Sequence, residues 1–352
     1  MSLVCLNARF RGRPLTGVER FAREVVNRLG GDEGMAIREI APEKPLAGLK
    51  GHAWEQFVLP RRVGGNGVLF SPCNTGPLGV ARQLVVIHDA AVWDGPENFS
   101  RSFRSVYHQL LPRLAKRAAK VATVSEFSRR RLAPCLGIAE EEILVLGNGV
   151  GADFSPAAQS ENSWGAEREA RGGPVFLCVG SMDPRKNLGR LLRAWLILKD
   201  SDLIPREARL QLVGGSNPRN FAGVERIEGT GIEWLGRVED AELVRRYREA
   251  DVFIYPSLYE GFGLPPLEAM ACGCPVLLSN AASLPEVGGP ESEGAVKYFD
   301  PQSEAEIAIA IEDYLRLEEK ERLAMRDSAL ARAAKFSWSD IASRTSEALV
   351  AI

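Results

Sequence analysis

The segment EGFGLPPLE, residues 260–268, combines two glutamates, two glycines and two prolines, and we call it the 260–268 turn. Glycines let a ligand approach the backbone closely, and backbone N–H groups just ahead of a helix favour an anion. The N–H groups in that position belong to Gly261, Phe262, Gly263 and Leu264. A helix-capping role would explain Glu268 alone, because a carboxylate is favourable near a helix start. It leaves Glu260, the glycines and the prolines unexplained, so the segment predicts an anion-binding turn.

A second candidate is the segment VGSMDPRKNLGRLL, residues 179–192, which lies between a predicted strand and a predicted helix. Its adjacent cations, Arg185 and Lys186, lie near the start of that helix, where positive charge is unfavourable. Taken alone, such a pair on a turn is usually solvated. Because an anion-binding turn is predicted in the same half of the chain, we interpret Arg185 and Lys186 as ligands of an anion.

Two weaker candidates lie in the first half of the chain. Gly17 follows the first predicted strand and precedes a helix that begins near Val18. Either Thr16 simply caps that helix, or the Gly17 N–H binds a phosphate. His88 follows an apolar strand, where it is either a satisfied core residue or a site residue. The sequence leaves both alternatives open.

The elements that carry these residues are short apolar runs, each followed by a helical pattern. In the first half we predict strands at 3–6, 37–40, 68–70, 84–87, 121–124 and 143–146. In the second half we predict strands at 175–179, 210–213, 232–235, 252–255, 276–278 and 296–299. Continuous apolar strands that alternate with helices predict parallel sheets buried on both faces. The fold class is therefore α/β, with two doubly wound, Rossmann-like domains.

Composition places the boundary between the two domains. Residues 159–173 are rich in Ser, Gly, Glu and Ala without an apolar period, which predicts a linker between domains at 1–158 and 174–335. Residues 336–352 form a last helix, capped by Ser337, whose apolar stripe is expected to pack back on the first domain. Ligands bind beyond the carboxyl ends of parallel strands, so we expect the chemistry in the cleft between the domains.

Composition also indicates a globular protein and argues against several other classes of protein. The 352 residues are 45% apolar and 26% charged, as in ordinary globular proteins. No signal peptide or membrane-spanning run is evident, so a cytoplasmic protein is expected. The six cysteines are scattered, which is typical of reduced thiols. Cys272 and Cys274 lack partners for a zinc site, since the chain has only three histidines.

Charge is distributed unevenly along the chain. Basic residues exceed acidic ones in residues 1–160, and acidic residues exceed basic ones in the remainder. The excess is concentrated at 101–131, where Glu126 is the one acidic residue. The basic residues there are Arg101, Arg104, Arg113, Lys116, Arg117, Lys120, Arg129, Arg130 and Arg131. Such a surface favours phosphates or anionic lipid headgroups, and a solvated helix face explains the pattern equally well.

The chain resembles the retaining GT-B glycosyltransferases of glycosyltransferase family 4 along nearly its whole length. The most specific similarity is the glutamate pair of EGFGLPPLE, and VGSMDPRKN, TVSEFSRRRL at 123–132 and NGVGADFSP at 148–156 resemble further family motifs in the expected order. TGVERF and IHD are similar to bacterial O-antigen and capsule enzymes, many of which transfer mannose or related hexoses from GDP-sugars. The first loop departs from the family, because it has Gly17 where many members have a glycine pair.

The resemblance implies a role for each candidate residue. It assigns the donor diphosphate to Arg185, Lys186, Gly17 and the N–H groups of the 260–268 turn. Glu268 would accept hydrogen bonds from the ribose, and Glu260 would contact hydroxyls of the transferred sugar. His88 would lie on the opposite wall, near the reacting sugar and the acceptor.

The expected activity is transfer of a hexose, with mannose from GDP-mannose as the first expectation, to a glycan or polyprenyl-linked acceptor. Negative charge grows on the departing diphosphate, so fixed cations and N–H groups stabilise the transition state. A metal cofactor is then not required, and Asp200 and Asp202 are given little weight as a DxD metal motif. A lipid-carried acceptor would bring residues 101–131 to an anionic membrane surface.

The alternatives to this activity differ from it in the sugar donor or in the class of protein. A UDP-sugar donor fits the same architecture, as does a nucleotide-sugar epimerase or a glycan phosphorylase. A noncatalytic glycan-binding protein leaves the two-glutamate turn without a role. A nucleic-acid-binding protein would be basic with interleaved aromatic residues, whereas this chain has a net charge of -2 and few aromatic residues in its basic stretch. Those residues are Phe103, Tyr107 and Phe127.

Overall fold

The computed structural model describes residues 3–13, 15–31, 35–46, 48–65, 67–157, 172–214 and 231–352. The chain divides into two compact units, Met1–Gly149 with Ser337–Ile352, and Val150–Phe336. In the described residues, each unit contains one six-stranded sheet whose paired strands are all parallel. The predicted α/β class with two Rossmann-like sheets is confirmed.

The first unit carries the segments that contain Gly17 and His88. Its strands are β1 (Val4–Asn7), β2 (Ile37–Ile40), β3 (Val68–Ser71), β4 (Gln83–Val86), β5 (Lys120–Thr123) and β6 (Ile143–Val145), in the order β2-β1-β3-β4-β5-β6. Its helices up to this point are α1 (Gly17–Gly30), α2 (Gly48–Phe57), α3 (Leu59–Val63), α4 (Ala91–Asp94), α5 (Arg101–Arg117) and α6 (Glu126–Leu136). Strands β1, β3 and β4 are buried along their whole length, as expected for a sheet covered on both faces.

The second unit carries the 260–268 turn and the Arg185–Lys186 segment. Its strands are β7 (Val175–Val179), β8 (Arg209–Val213), β9 (Ile232–Gly236), β10 (Val252–Tyr255), β11 (Val276–Ser279) and β12 (Val296–Phe299), in the order β12-β11-β10-β7-β8-β9. Its helices are α7 (Leu188–Asp200), α8 (Asp240–Glu249), α9 (Leu264–Ala271), α10 (Leu284–Gly288), α11 (Glu304–Arg316) and α12 (Glu319–Ala333). Because β7 and β10 are parallel neighbours, the loops that follow them lie side by side.

The last helix, α13 (Trp338–Val350), belongs to the first unit. The Ser337 side chain caps it by accepting a backbone hydrogen bond. Its stripe residues Ile341 and Thr345 are buried, and the Trp338 ring contacts Phe21 of α1 with centroids 6.0 Å apart. The amphipathic stripe seen in the sequence therefore covers α1.

The chain passes from one unit to the other at Gly149–Val150 and at Phe336–Ser337, whereas the sequence placed the first boundary at 158. Residues just beyond 149 are attached to the second unit by specific contacts. The Phe154 ring packs against Tyr247 at 6.2 Å, and the Ser155 carbonyl accepts a hydrogen bond from Arg248 at 2.7 Å. The predicted linker at 159–173 lies, up to residue 171, outside the described residues.

Candidate active site

The loop after β7 presents two adjacent cations and a carboxylate. Asp183 caps a short 3-10 helix, Pro184–Lys186, by accepting a hydrogen bond from the Arg185 N–H at 2.9 Å. The Arg185 guanidinium donates to both Asp183 carboxylate oxygens, over 3.0 and 2.9 Å. Burial raises the pKa of Asp183, but the hydrogen bonds from Arg185 outweigh it and hold that pKa below its ordinary value. The charge of Arg185 is therefore partly balanced within its own loop.

Lys186 forms an ion pair with Glu260, which follows the neighbouring strand β10. The Lys186 Nζ lies 2.6 Å from Glu260 Oε1 and 2.7 Å from the Tyr255 hydroxyl. Only 17% of the Lys186 side chain and 15% of the Glu260 side chain are accessible to solvent. The lysine stem runs past Gly180, where an added Cβ would lie 3.4 Å from it. Two residues that the sequence assigned separately to a site are thus in direct contact.

Glu260 is held through one of its two carboxylate oxygens. Its Oε1 accepts hydrogen bonds from Lys186, from the Tyr255 hydroxyl at 2.8 Å and from the Ser257 hydroxyl at 2.6 Å. The Ser257 hydroxyl has a single proton, and Glu260 Oε1 is its nearest acceptor. Among the residues that the structure describes, Oε2 has no hydrogen-bond partner. The carboxylate is therefore fixed in place with one oxygen left for a ligand.

The 260–268 turn leads directly into α9. This helix begins at Leu264. Both prolines lie in the first helical turn, where N–H groups have no partner within the helix and proline costs little. Gly263 has a φ of 113°, and an added Cβ there would lie 2.7 Å from the Leu284 side chain. This position therefore requires glycine.

The backbone of the turn offers several hydrogen-bond donors. In the described part of the chain, the N–H groups of Phe262, Gly263 and Leu264 donate to no protein acceptor. They stand at the amino end of the eight-residue helix α9, where the helix dipole favours negative charge. The Ser283 hydroxyl lies 2.9 and 2.8 Å from the carbonyl oxygens of Glu260 and Phe262. Ser283 thus helps to hold a turn whose donors suit a phosphate group.

Glu268 lies in the same helix as a buried carboxylate. It is 6% exposed. It is the fifth residue of α9 and so lies beyond the first turn, and helix capping does not explain it. The Tyr247 hydroxyl of α8 donates to Glu268 Oε2 over 3.3 Å. Glu268 therefore has a defined position close to the amino end of the helix.

Asn187 connects three loops of the site, and the sequence analysis missed it. Its backbone is in the left-handed region, with a φ of 58°. Its amide nitrogen donates to the Pro256 carbonyl at 3.0 Å and to the Pro301 carbonyl at 2.6 Å. Pro256 follows β10 and Pro301 lies beyond β12, so one side chain joins the loops after β7, β10 and β12. The signal in the sequence was an asparagine just before a helix, since asparagine tolerates this backbone conformation.

His88 of the first unit is buried and has partners. It is 5% exposed, and its Nε2 lies 2.8 Å from the Pro72 carbonyl. Since a carbonyl only accepts, Nε2 carries the proton. Burial lowers the pKa of His88 below its ordinary value, so the ring is neutral near pH 7. His88 therefore has the properties of a satisfied core residue, with Nδ1 as its remaining acceptor atom.

Gly17 is the exposed first residue of α1. The Glu19 carboxylate accepts hydrogen bonds from the Thr16 hydroxyl and from the Thr16 N–H, the latter over 3.3 Å. Thr16 therefore occupies the position that precedes the helix, as one alternative held, and its hydroxyl group is bound to Glu19 and not to the helix backbone. The contact between Gly17 and a phosphate stays a prediction.

A second polar cluster, which was not predicted from the sequence, lies at the carboxyl edge of the first sheet. Arg9 and Glu55 are 5% and 1% exposed and lie 3.5 Å apart. Asn7 donates to Glu55 at 2.7 Å, and Arg9 donates to Thr75 at 2.9 Å. Burial raises the pKa of Glu55, but the His52 ring, whose Nδ1 lies 3.7 Å from Glu55 Oε2, and the Arg9 charge outweigh it and lower that pKa. The cluster fixes the loop after β1 to α2 and to the loop after β3.

The basic residues of 101–131 lie on or beside α5 and α6 and are largely exposed. The exposed ones are Arg101, Arg113, Lys116, Arg117, Arg130 and Arg131. Arg131 pairs with Asp94 of α4, an acidic neighbour that lies outside the stretch in the sequence. Arg129 pairs with Glu126 at 2.6 Å. No helix in the described part of the chain is both long enough and apolar enough to cross a membrane.

Comparisons with known proteins agree on one enzyme class. The family described as glycosyl transferases group 1 matches residues 160–332, a range that includes Arg185, Lys186, Glu260 and Glu268. The O-antigen chain mannosyltransferase B of Escherichia coli is 31% identical over 278 residues, which cover 76% of this chain and 70% of that protein. The serotype-specific mannosyltransferase WbdA of Escherichia coli is 29% identical over 271 residues, 74% of this chain but only 32% of that longer protein.

The similarity extends to solved structures. The crystal structure of Anabaena HepE in complex with UDP and glucose superposes with a TM-score of 0.71 over 100% of both chains, at 18% identity. At that identity the likeness concerns the fold, which is the two-domain GT-B architecture.

Proposed function

Because this chain belongs to the glycosyl transferases group 1 family, we propose that it transfers a hexose from a nucleotide-sugar to a glycan acceptor with retention of configuration. The observation that carries the proposal is the Lys186–Glu260 ion pair, which lies beside the N–H groups of Phe262, Gly263 and Leu264, three donors without an acceptor among the described residues. The named O-antigen relatives favour GDP-mannose as donor and a role in cell-surface polysaccharide synthesis. A UDP-sugar is the second candidate donor, because HepE holds UDP and glucose in the same fold.

The chemistry follows from where charge develops during transfer. As the sugar separates from the nucleotide, negative charge grows on the diphosphate and positive charge on the sugar. We assign the diphosphate to Lys186 and to the N–H groups of Phe262, Gly263 and Leu264. Glu260, with Oε2 unoccupied by the described residues, would contact the sugar. Fixed groups of this kind bind the transition state more tightly than the ground state.

The remaining candidates are assigned smaller parts in the same reaction. We assign Glu268 to the ribose and Arg185 to the outer side of the diphosphate, since Asp183 already balances part of its charge. In the first unit we assign the Gly17 N–H to a phosphate oxygen and the neutral His88 to a hydroxyl of the reacting sugar. These four assignments follow the family resemblance.

Replacing each glutamate by glutamine should affect different steps. Glu260→Gln keeps an acceptor for Lys186, Tyr255 and Ser257 but removes the charge near the sugar, so kcat should fall about 100-fold with nucleotide affinity nearly unchanged. Glu268→Gln should mainly raise the donor KM, because a ribose contact is equal in ground and transition states. The measurement is release of GDP from GDP-mannose, or of UDP from UDP-glucose, with a lipid-linked glycan acceptor.

Glu304→Gln is the matched control, since Glu304 is a partly exposed glutamate of the second unit whose partner, Arg193, belongs to no proposed site. Kinetics of both site variants equal to those of the control would make the turn structural and would contradict the proposed function. A loss of nucleotide affinity in Glu260→Gln, with kcat lost in Glu268→Gln, would exchange the two roles.

Transfer should persist after removal of divalent metal ions. Lys186 and the amino end of α9 supply positive potential at the diphosphate, which is the contribution a magnesium ion would otherwise make. Asp202 pairs with Arg206 at the surface, with 73% and 86% of the two side chains exposed, and it lies just beyond Asp200 at the end of α7. The rate in EDTA should equal the rate in magnesium. Loss of activity in EDTA that manganese or magnesium restores would show that a metal is required.

A lipid-linked acceptor would place the enzyme at an anionic membrane, and we assign that contact to the exposed basic residues of α5 and α6. Reversing the charge of Arg113, Lys116 and Arg117 should reduce co-sedimentation with anionic vesicles, as should added salt. Reversal at Arg193, Arg206 and Arg316, exposed residues of the second unit, is the charge-matched control. Equal binding of wild type to neutral and anionic vesicles would mean that the basic residues of 101–131 are ordinary surface charge.

A further inference from the structure

A buried row of three aromatic rings connects the two glutamates of the 260–268 turn. Tyr247 of α8 packs edge-on against Phe253 of β10 at 5.5 Å, and Phe253 stacks on Tyr255 at 5.6 Å. All three side chains are buried. The hydroxyl group at one end reaches Glu260, and the hydroxyl group at the other end reaches Glu268. One rigid row therefore contacts both carboxylates.

The Tyr255 hydroxyl makes two hydrogen bonds whose directions are fixed by chemistry. Lys186 only donates, so it donates to the Tyr255 oxygen over 2.7 Å. An ionised Glu260 only accepts, so Tyr255 donates to Oε1 over 2.8 Å. A phenylalanine in this position would keep the ring packing and lose both hydrogen bonds.

Tyr247 has a simpler arrangement. Its hydroxyl donates to Glu268 Oε2 over 3.3 Å, a longer bond than those of Tyr255. Burial raises the pKa of both tyrosines well above the ordinary value, and the nearby glutamates raise it further. Both hydroxyl groups therefore keep their protons and remain donors to the carboxylates.

The proposed reaction makes a particular demand on Glu260. A diphosphate that attracts Lys186 weakens the hold of Lys186 on Glu260, and Tyr255 and Ser257 are then the donors left on Oε1. The carboxylate must stay in place while this exchange occurs, because a misplacement of about 1 Å in a reacting group can cost a 100-fold loss in rate.

We propose that Tyr255 and Tyr247 are positioning residues that serve different steps of the reaction. Tyr255 holds Glu260 for the transfer of the sugar, and Tyr247 holds Glu268 for the binding of the nucleoside. This inference rests on the proposed function of the two glutamates. It adds the two side chains, neither of them indicated by the sequence, through which those glutamates are held.

The test compares Tyr255→Phe, Tyr247→Phe and Tyr314→Phe. Each change removes one hydroxyl from a buried tyrosine of the second unit, and Tyr314 is the matched control because its hydroxyl donates to the Asp251 backbone carbonyl. Tyr255→Phe should lower kcat about tenfold with affinity for the nucleoside diphosphate within about twofold of wild type. Tyr247→Phe should raise the donor KM about threefold with kcat nearly unchanged. Tyr314→Phe should change neither constant.

The same substitution in a Glu260→Ala variant distinguishes a positioning role of Tyr255 from a packing role. If Tyr255 acts through the Glu260 carboxylate, Tyr255→Phe should lower kcat by less than about twofold when it is added to Glu260→Ala. A tenfold loss in both backgrounds would assign the effect to packing and would overturn the inference. If the enzyme is active and the kinetic constants of Tyr255→Phe and Tyr247→Phe equal those of Tyr314→Phe, the inference is also overturned. Wild-type protein that transfers no sugar from GDP-mannose or UDP-glucose would contradict the proposed function, and the inference with it.

Discussion

Lys186 and Glu260 lose most of their contact with water when the protein folds, and charges in that position need partners. They find each other because β7 and β10 are adjacent parallel strands whose following loops meet at one edge of the sheet. Tyr255 and Ser257 complete the set of donors to Glu260. The rest of the site is arranged around this pair, since Asn187 ties the loop of the lysine to the strand end that precedes the glutamate.

A buried ion pair of this kind does little for stability, because the cost of removing two charges from water offsets their attraction. Its geometry is better explained by binding. Lys186 has a partner in the absence of ligand and can give part of its charge to an anion, while the hydroxyl groups of Tyr255 and Ser257 keep Glu260 satisfied. The N–H groups ahead of α9 add a second source of positive potential that is already in place before a ligand binds.

The sequence predicted the strands of the described residues well because sheets buried on both faces require continuous apolar runs, which are visible without a structure. The sequence also indicated Lys186, a cation near a helix start, and Glu260, a glutamate that helix capping does not explain. It did not indicate Tyr255, since an aromatic residue at the end of a buried strand is also typical of a core. It placed the unit boundary at 158 instead of Gly149, because that boundary depends on contacts such as that of Ser155 with Arg248, which join residues distant in sequence.

We infer that Lys186 binds the diphosphate of a nucleotide-sugar. Calorimetric titration of wild type and Lys186→Ala with GDP and UDP, and with the corresponding nucleosides, tests it most directly. Lys186→Ala should weaken binding of the preferred nucleoside diphosphate by about 10- to 150-fold, the contribution of a hydrogen bond to a charged group, and should leave nucleoside affinity unchanged. Equal affinity of wild type and Lys186→Ala for both diphosphates would contradict it.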